Sequence, residues 1–201
     1  MSGPASWWLD LPHKDELWCY THNLFSDEEC DFIIKVGTDP EIVTLGPGVV
    51  GGGGSNSRVD EDIRKSTIGW LPVHEKTNWI FQRITAAVTN INNDFYKYDL
   101  THIENIQFTV YKEDSNFYGQ HIDAMYETNA SRKLSVSVQL TDPTEYDGGE
   151  FALYTGKDPA ILPKQRGTAL FFPSWSLHEV MPVTRGTRYA LVTWICGPRF
   201  K

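Results

Sequence analysis

A chain of 201 residues, 40% hydrophobic and 22% charged, is long enough for one well-buried core and shows no break into two compositions, so a single domain over 1–201 is expected. The formal charge of -8 opposes a large nucleic-acid footprint, which needs clustered Lys and Arg, and favours a basic partner. No apolar run approaches the ~20 residues of a membrane span, and Met1 to Glu16 lacks the basic region and apolar core of a secretory signal, which makes the cytosol the default compartment.

Along the chain, residues 18–25 read as a short strand entering a helix. Ser26 and Glu29 form a capping box, and Asp27 and Glu28 suit the positive helix end. The helix is expected from Asp27 to about Val36, stopped by Gly37, with Cys30, Phe32, Ile33 and Ile34 on its packed side. Residues 46–57 contain four consecutive glycines, a costly stretch to fix in one conformation. They read as a spacer, or as a loop that orders over a substrate. Residues 66–71 look like a strand. Thr77 can cap a second helix reaching about Phe95, whose stripe of Ile80, Phe81, Ile84, Ala87, Val88, Ile91 and Phe95 belongs on a sheet.

From Ile103 the pattern changes to short strands separated by turns, as in an antiparallel sandwich or barrel. Cys19, Cys30 and Cys196 are odd in number and show no C-x-x-C spacing, so buried free thiols are expected. His121 and Asp123 stand two apart in a β-rich stretch, which on a strand points both into one space while Ile122 faces the other way and can be buried. Imidazole and carboxylate together hold a divalent ion, although such a triplet alone is a common accident. Further on, residues 169–175 form an apolar strand closed by a turn and 177–180 begin the next. A hairpin about residues 182–186 would put His178 and Arg188 on nearby rungs. His178 can then complete a two-histidine, one-carboxylate set, with Arg188 offering a fork to a carboxylate deeper in the pocket.

His121-x-Asp123, His178 and the basic residue ten positions later resemble the Fe(II)- and 2-oxoglutarate-dependent oxygenases, in the prolyl 4-hydroxylase-like branch and its PKHD-type bacterial and phage relatives. The likeness is carried by residues 132–135, 146–150, 172–174 and 178–189, and covers about 104–197. It implies a mostly β fold with flanking helices, the double-stranded β-helix of jelly-roll and cupin-like proteins. It also implies Fe(II) on His121, Asp123 and His178, with 2-oxoglutarate as cosubstrate, O2, and ascorbate as a candidate reductant.

Arg188 stands where prolyl 4-hydroxylases proper carry Lys, and would take the far carboxylate of 2-oxoglutarate. Some relatives add a serine two residues after the arginine; Ala190 stands here, so a second hydrogen bond to the cosubstrate must come from elsewhere. Tyr111 is the first candidate and Ser135 the second, with Ser135, Ser137 and Gln139 on one polar face of their strand. Tyr118 and Trp194 are candidate walls. The implied activity is hydroxylation of prolyl residues in a protein or peptide, with release of succinate and CO2. The alternatives are another side chain or small molecule as substrate, a zinc protein, or a catalytically silent barrel used as a binding module.

Overall fold

Strict alternation at Leu134-Ser-Val-Ser-Val-Gln-Leu140 sets the layering of the molecule. In the computed structural model, which describes residues 17–51, 57–124 and 130–199, this sequence lies in the long strand Ala130–Gln139 at the centre of the larger sheet. Its apolar side, Leu134, Val136 and Val138, packs beneath two helices. The same buried cluster holds Cys30 and Ile33 of the helix Asp27–Thr38, Ile80, Ile84 and Val88 of the helix Asn78–Ile91, and Phe108 and Leu191 of neighbouring strands. The polar side, Ser135, Ser137 and Gln139, is equally buried and faces the interior of the molecule.

The chain then switches sheets at almost every step. Gln107–Lys112, Ala130–Gln139, Ala169–Pro173 and Thr187–Pro198 belong to the larger sheet, while Phe117–His121, Phe151–Tyr154 and Leu177–Val180, which fall between them in sequence, belong to the smaller. Two facing antiparallel sheets woven in this way are a double-stranded β-helix. No helix among the described residues is long and apolar enough to cross a membrane.

Several expectations need correction. The first helix continues through Gly37 to Thr38, because Gly37 is where the helix presses on Phe108: an added Cβ would lie 2.5 Å from that ring. Phe32 of the same helix is exposed rather than packed. Thr77 stands at the start of the second helix without capping it; its hydroxyl turns back to the Pro72 carbonyl. That helix ends at Ile91 in a wider, π-type turn over Asn92–Tyr96, which shifts the periodicity by one residue. Tyr96 is therefore buried at 1% exposure and Phe95 stands out at 38%.

Residues 182–186 do not make a hairpin. Val183–Arg185 pairs with Asp147–Gly148 and carries the chain from the smaller sheet to the larger, so His178 and Arg188 face each other across the barrel instead of sharing a ladder. The expectations for Met1 to Glu16 and for the middle of the glycine-rich run, 52–56, lie outside the described residues.

Candidate metal centre

The strands Phe117–His121 and Leu177–Val180 are neighbours in the smaller sheet, and His121 and His178 are directly paired. Their imidazoles consequently stand side by side, with ring centroids 4.1 Å apart. The strand ends at His121, and Asp123 is set by the turn that follows, its N–H donating to the Ser174 carbonyl at 2.8 Å. Its carboxylate lies 3.7 Å from His121 Nε2 and 3.4 Å from His178 Nε2. One ligand atom from each of the three residues falls within 4.8 Å of the others. Because the strand stops before it, Ile122 is not turned into a core; it is 46% exposed and lines the cavity mouth.

Both histidines are held in one tautomer. His121 Nδ1 lies 2.7 Å from the Gly119 carbonyl and His178 Nδ1 lies 2.9 Å from the Ser176 carbonyl. A carbonyl only accepts, so each Nδ1 carries the proton and each Nε2 lone pair is left to bind a cation. Burial, reinforced by the neighbouring His178, pushes His121 down to about 4. Burial alone would push the Asp123 carboxyl up, but His178 and His121, then the Ser135 hydroxyl and the Trp194 indole, hold it below the usual range. Near neutral pH the set is one carboxylate and a free His121 Nε2, the protonation state that a divalent ion requires.

A cavity of about 650 Å³ opens above this cluster. Tyr118 stacks on His121 at 3.5 Å, and the Arg64 guanidinium covers the other face of Tyr118 at 4.4 Å. Arg64 is itself fixed by Ser66, Gln107 and the Val49 carbonyl. Burial raises the Tyr118 hydroxyl to about 12. On the opposite wall Arg132 lies 3.8 Å over Trp194 and forms a two-pronged pair with Glu104 at 2.6 Å. At the inner end Arg188, 1% exposed, donates from Nη2 to Gln139 Oε1 at 2.9 Å, while its Nε and Nη1 have no partner.

Residues 106–196 match the family model of the 2OG-Fe(II) oxygenase superfamily. Over those residues the chain is similar to that superfamily. A PKHD-type hydroxylase of Prochlorococcus marinus is 40% identical over 80 residues, covering 40% of this chain and 36% of that protein. The chain thus spans well under half the length of the curated relatives it matches. Among solved structures, a prolyl-4-hydroxylase of Pseudomonas putida superposes with a TM-score of 0.70 at 19% identity, covering 90% of this chain and 92% of that one. A prolyl hydroxylase of Trichoplax adhaerens, in complex with a hypoxia inducible factor peptide fragment, gives 0.71 at 18% identity, covering 89% and 83%. These two likenesses establish the shared barrel.

The cofactors of that superfamily are Fe(II), 2-oxoglutarate and O2, and the residues of this chain fit them. The three metal-facing groups are the right donor types for Fe(II). A buried cation with two unpartnered nitrogens at the inner end of the same cavity suits a carboxylate. Tyr111 is buried, lines the cavity and lies under Arg188, 5.3 Å from its guanidinium carbon. The Ser135 hydroxyl donates to Asp123 Oδ2 at 2.8 Å and lies 2.9 Å from Ser174 Oγ, so it steadies the carboxylate. Ser174, Arg64, Arg132 and Tyr146 escaped the sequence reading as site residues, since each acts through a partner far away in the chain.

Proposed function

We propose that this chain is a 2-oxoglutarate-dependent oxygenase that hydroxylates prolyl residues of a protein or peptide, consuming 2-oxoglutarate and O2 and releasing succinate and CO2. The reading rests chiefly on one juxtaposition: a His121, Asp123, His178 cluster and a buried, partly unpaired Arg188 in a single cavity. His121, Asp123 and His178 would hold Fe(II) and leave coordination positions free. Arg188 would grip the far carboxylate of the cosubstrate, a contact that Lys could make only as a point charge. The bound iron and cosubstrate supply the oxidising chemistry at a C–H bond.

The chain's own contribution is to position and to keep dry. Asp123 is oriented through Ser135 and the Ser174 carbonyl, and His121 is wedged beneath Tyr118. Tyr118 and Trp194 give the cavity flat, rigid walls suited to a pyrrolidine ring, and exposed Trp70, Val49 and Ile122 give it an apolar mouth for the flanking peptide. Prolyl specificity draws support from the two structural neighbours that are prolyl hydroxylases, and a peptide substrate from the one that holds a peptide. A basic partner draws on the net charge alone, because Glu104 in the cavity wall is already paired with Arg132.

The test is to incubate the iron-loaded protein with 2-oxoglutarate and a library of proline-containing peptides. Succinate formed in step with a peptide one oxygen heavier at proline supports the proposal. Oxygen inserted at another residue, or no coupled turnover across the library, contradicts it.

A further inference from the structure

At the inner end of the cavity Arg188 carries more N–H groups than its protein partners use. Arg188 Nε and Nη1 are buried without a partner. Arg188 and Tyr146 meet across Gly149, where an added Cβ would lie 3.1 Å from Arg188 Cδ and 3.2 Å from Tyr146 Cε2. Burial raises the Tyr146 hydroxyl's pKa while the adjacent Arg188, by its charge and by hydrogen bonding, works against that rise, so the hydroxyl stays protonated beside the guanidinium. Buried guanidinium N–H groups beyond the one that Gln139 accepts suit an anion, which only accepts.

Ala190 is buried beside Arg188 on its strand and brings no polar group; the residue directly opposite on the adjacent strand is Gln139. Gln139 is buried, and its Oε1 accepts from Arg188 Nη2 at 2.9 Å. An amide that gives its oxygen to the guanidinium is left with only its NH2 to offer, and NH2 donates to carboxylates.

We propose that Gln139 is the second anchor of the cosubstrate's far carboxylate: its oxygen sets the plane of Arg188 and its NH2 donates to the carboxylate, replacing a hydroxyl that Ala190 cannot provide. The inference rests on 2-oxoglutarate being the cosubstrate. It adds that the terminal carboxylate is recognised by a neutral amide together with a cation, and that Gln139 has no part in binding the metal.

The test compares binding of 2-oxoglutarate and of oxalate to the Mn(II)-loaded protein by calorimetry. Oxalate chelates a metal but has no far carboxylate. Wild-type protein that binds oxalate but not 2-oxoglutarate would overturn the functional reading itself. Given wild-type binding of both, Gln139→Met, which keeps length and volume, should weaken 2-oxoglutarate about tenfold. Gln139→Glu should weaken it more than about a hundredfold by pairing with Arg188 and repelling the ligand. Oxalate affinity should stay within about twofold in both variants. Variants that bind 2-oxoglutarate as the wild type does would overturn the inference, and so would parallel loss of both ligands, which would make Gln139 a purely structural residue.

Discussion

Asp123 is held by a backbone N–H, a serine hydroxyl and the histidines it faces, and that restraint decides how well it can serve as a ligand. Replacing Ser135 with Ala should lower Fe(II) or Mn(II) affinity by about ten- to a hundredfold with the fold intact, because the carboxylate loses the group that orients it. Unchanged metal affinity by titration would show that Ser135 does nothing for the site. Protonation gives a second expectation. His121 titrates near 4 in the folded protein against 6.5 in the open chain, so between those values the unfolded state takes up a proton that the native state refuses. The unfolded state then binds more protons, and stability rises with pH across the window and is lost as pH falls through it. The lowered Asp123 carboxyl acts in the same direction but only at lower pH, below its ordinary 3.8. The melting temperature of the metal-free protein should therefore drop between pH 6.5 and about 4.5, and drop less in His121→Gln; a flat profile would contradict this. The ligand types were legible because His-x-Asp needs only local spacing. Ile122 departs from its expected burial because the strand ends at His121, which no local pattern signals.

At the level of elements, the helix Asp27–Thr38 reaches the larger sheet through Gly37. Gly37→Ala improves helix propensity by roughly 1 kcal/mol, yet forces a methyl into the Phe108 ring, and overpacking of this kind costs about 1–3 kcal/mol. Thermal unfolding should show no gain and more often a loss, whereas a clear rise in melting temperature would mean that Phe108 moves freely aside. The capping box of this helix was readable because Ser26 and Glu29 are three residues apart, and both of its hydrogen bonds form. The end of the second helix was not, because a π-type turn replaces Phe95 by Tyr96 without any Gly or Pro to announce it. The crossing at Val183–Arg185 was mistaken for a hairpin for a related reason: a Gly-containing turn signals reversal, but which sheet receives the next strand is settled by Asp147–Gly148, far back in the chain.

Across the whole molecule, the strands alternate between sheets, and that weave brings residues 111, 123, 178 and 188 around one cavity, with 139 hydrogen-bonded to 188. An antiparallel sandwich or barrel was legible from the run of short strands, while the double-stranded β-helix followed from the family resemblance. The depth of Arg188 was legible from its apolar strand, but its direction across the barrel was not. The account depends on Arg188 and the metal cluster serving one ligand. The most direct test is calorimetric titration of 2-oxoglutarate into the Fe(II)-loaded protein under anaerobic conditions, for the wild type, Asp123→Ala and Arg188→Ala. The account predicts a single site in the wild type, loss of metal and cosubstrate together in Asp123→Ala, and retained metal with at least about hundredfold weaker 2-oxoglutarate in Arg188→Ala. Wild-type affinity for 2-oxoglutarate in Arg188→Ala would contradict it.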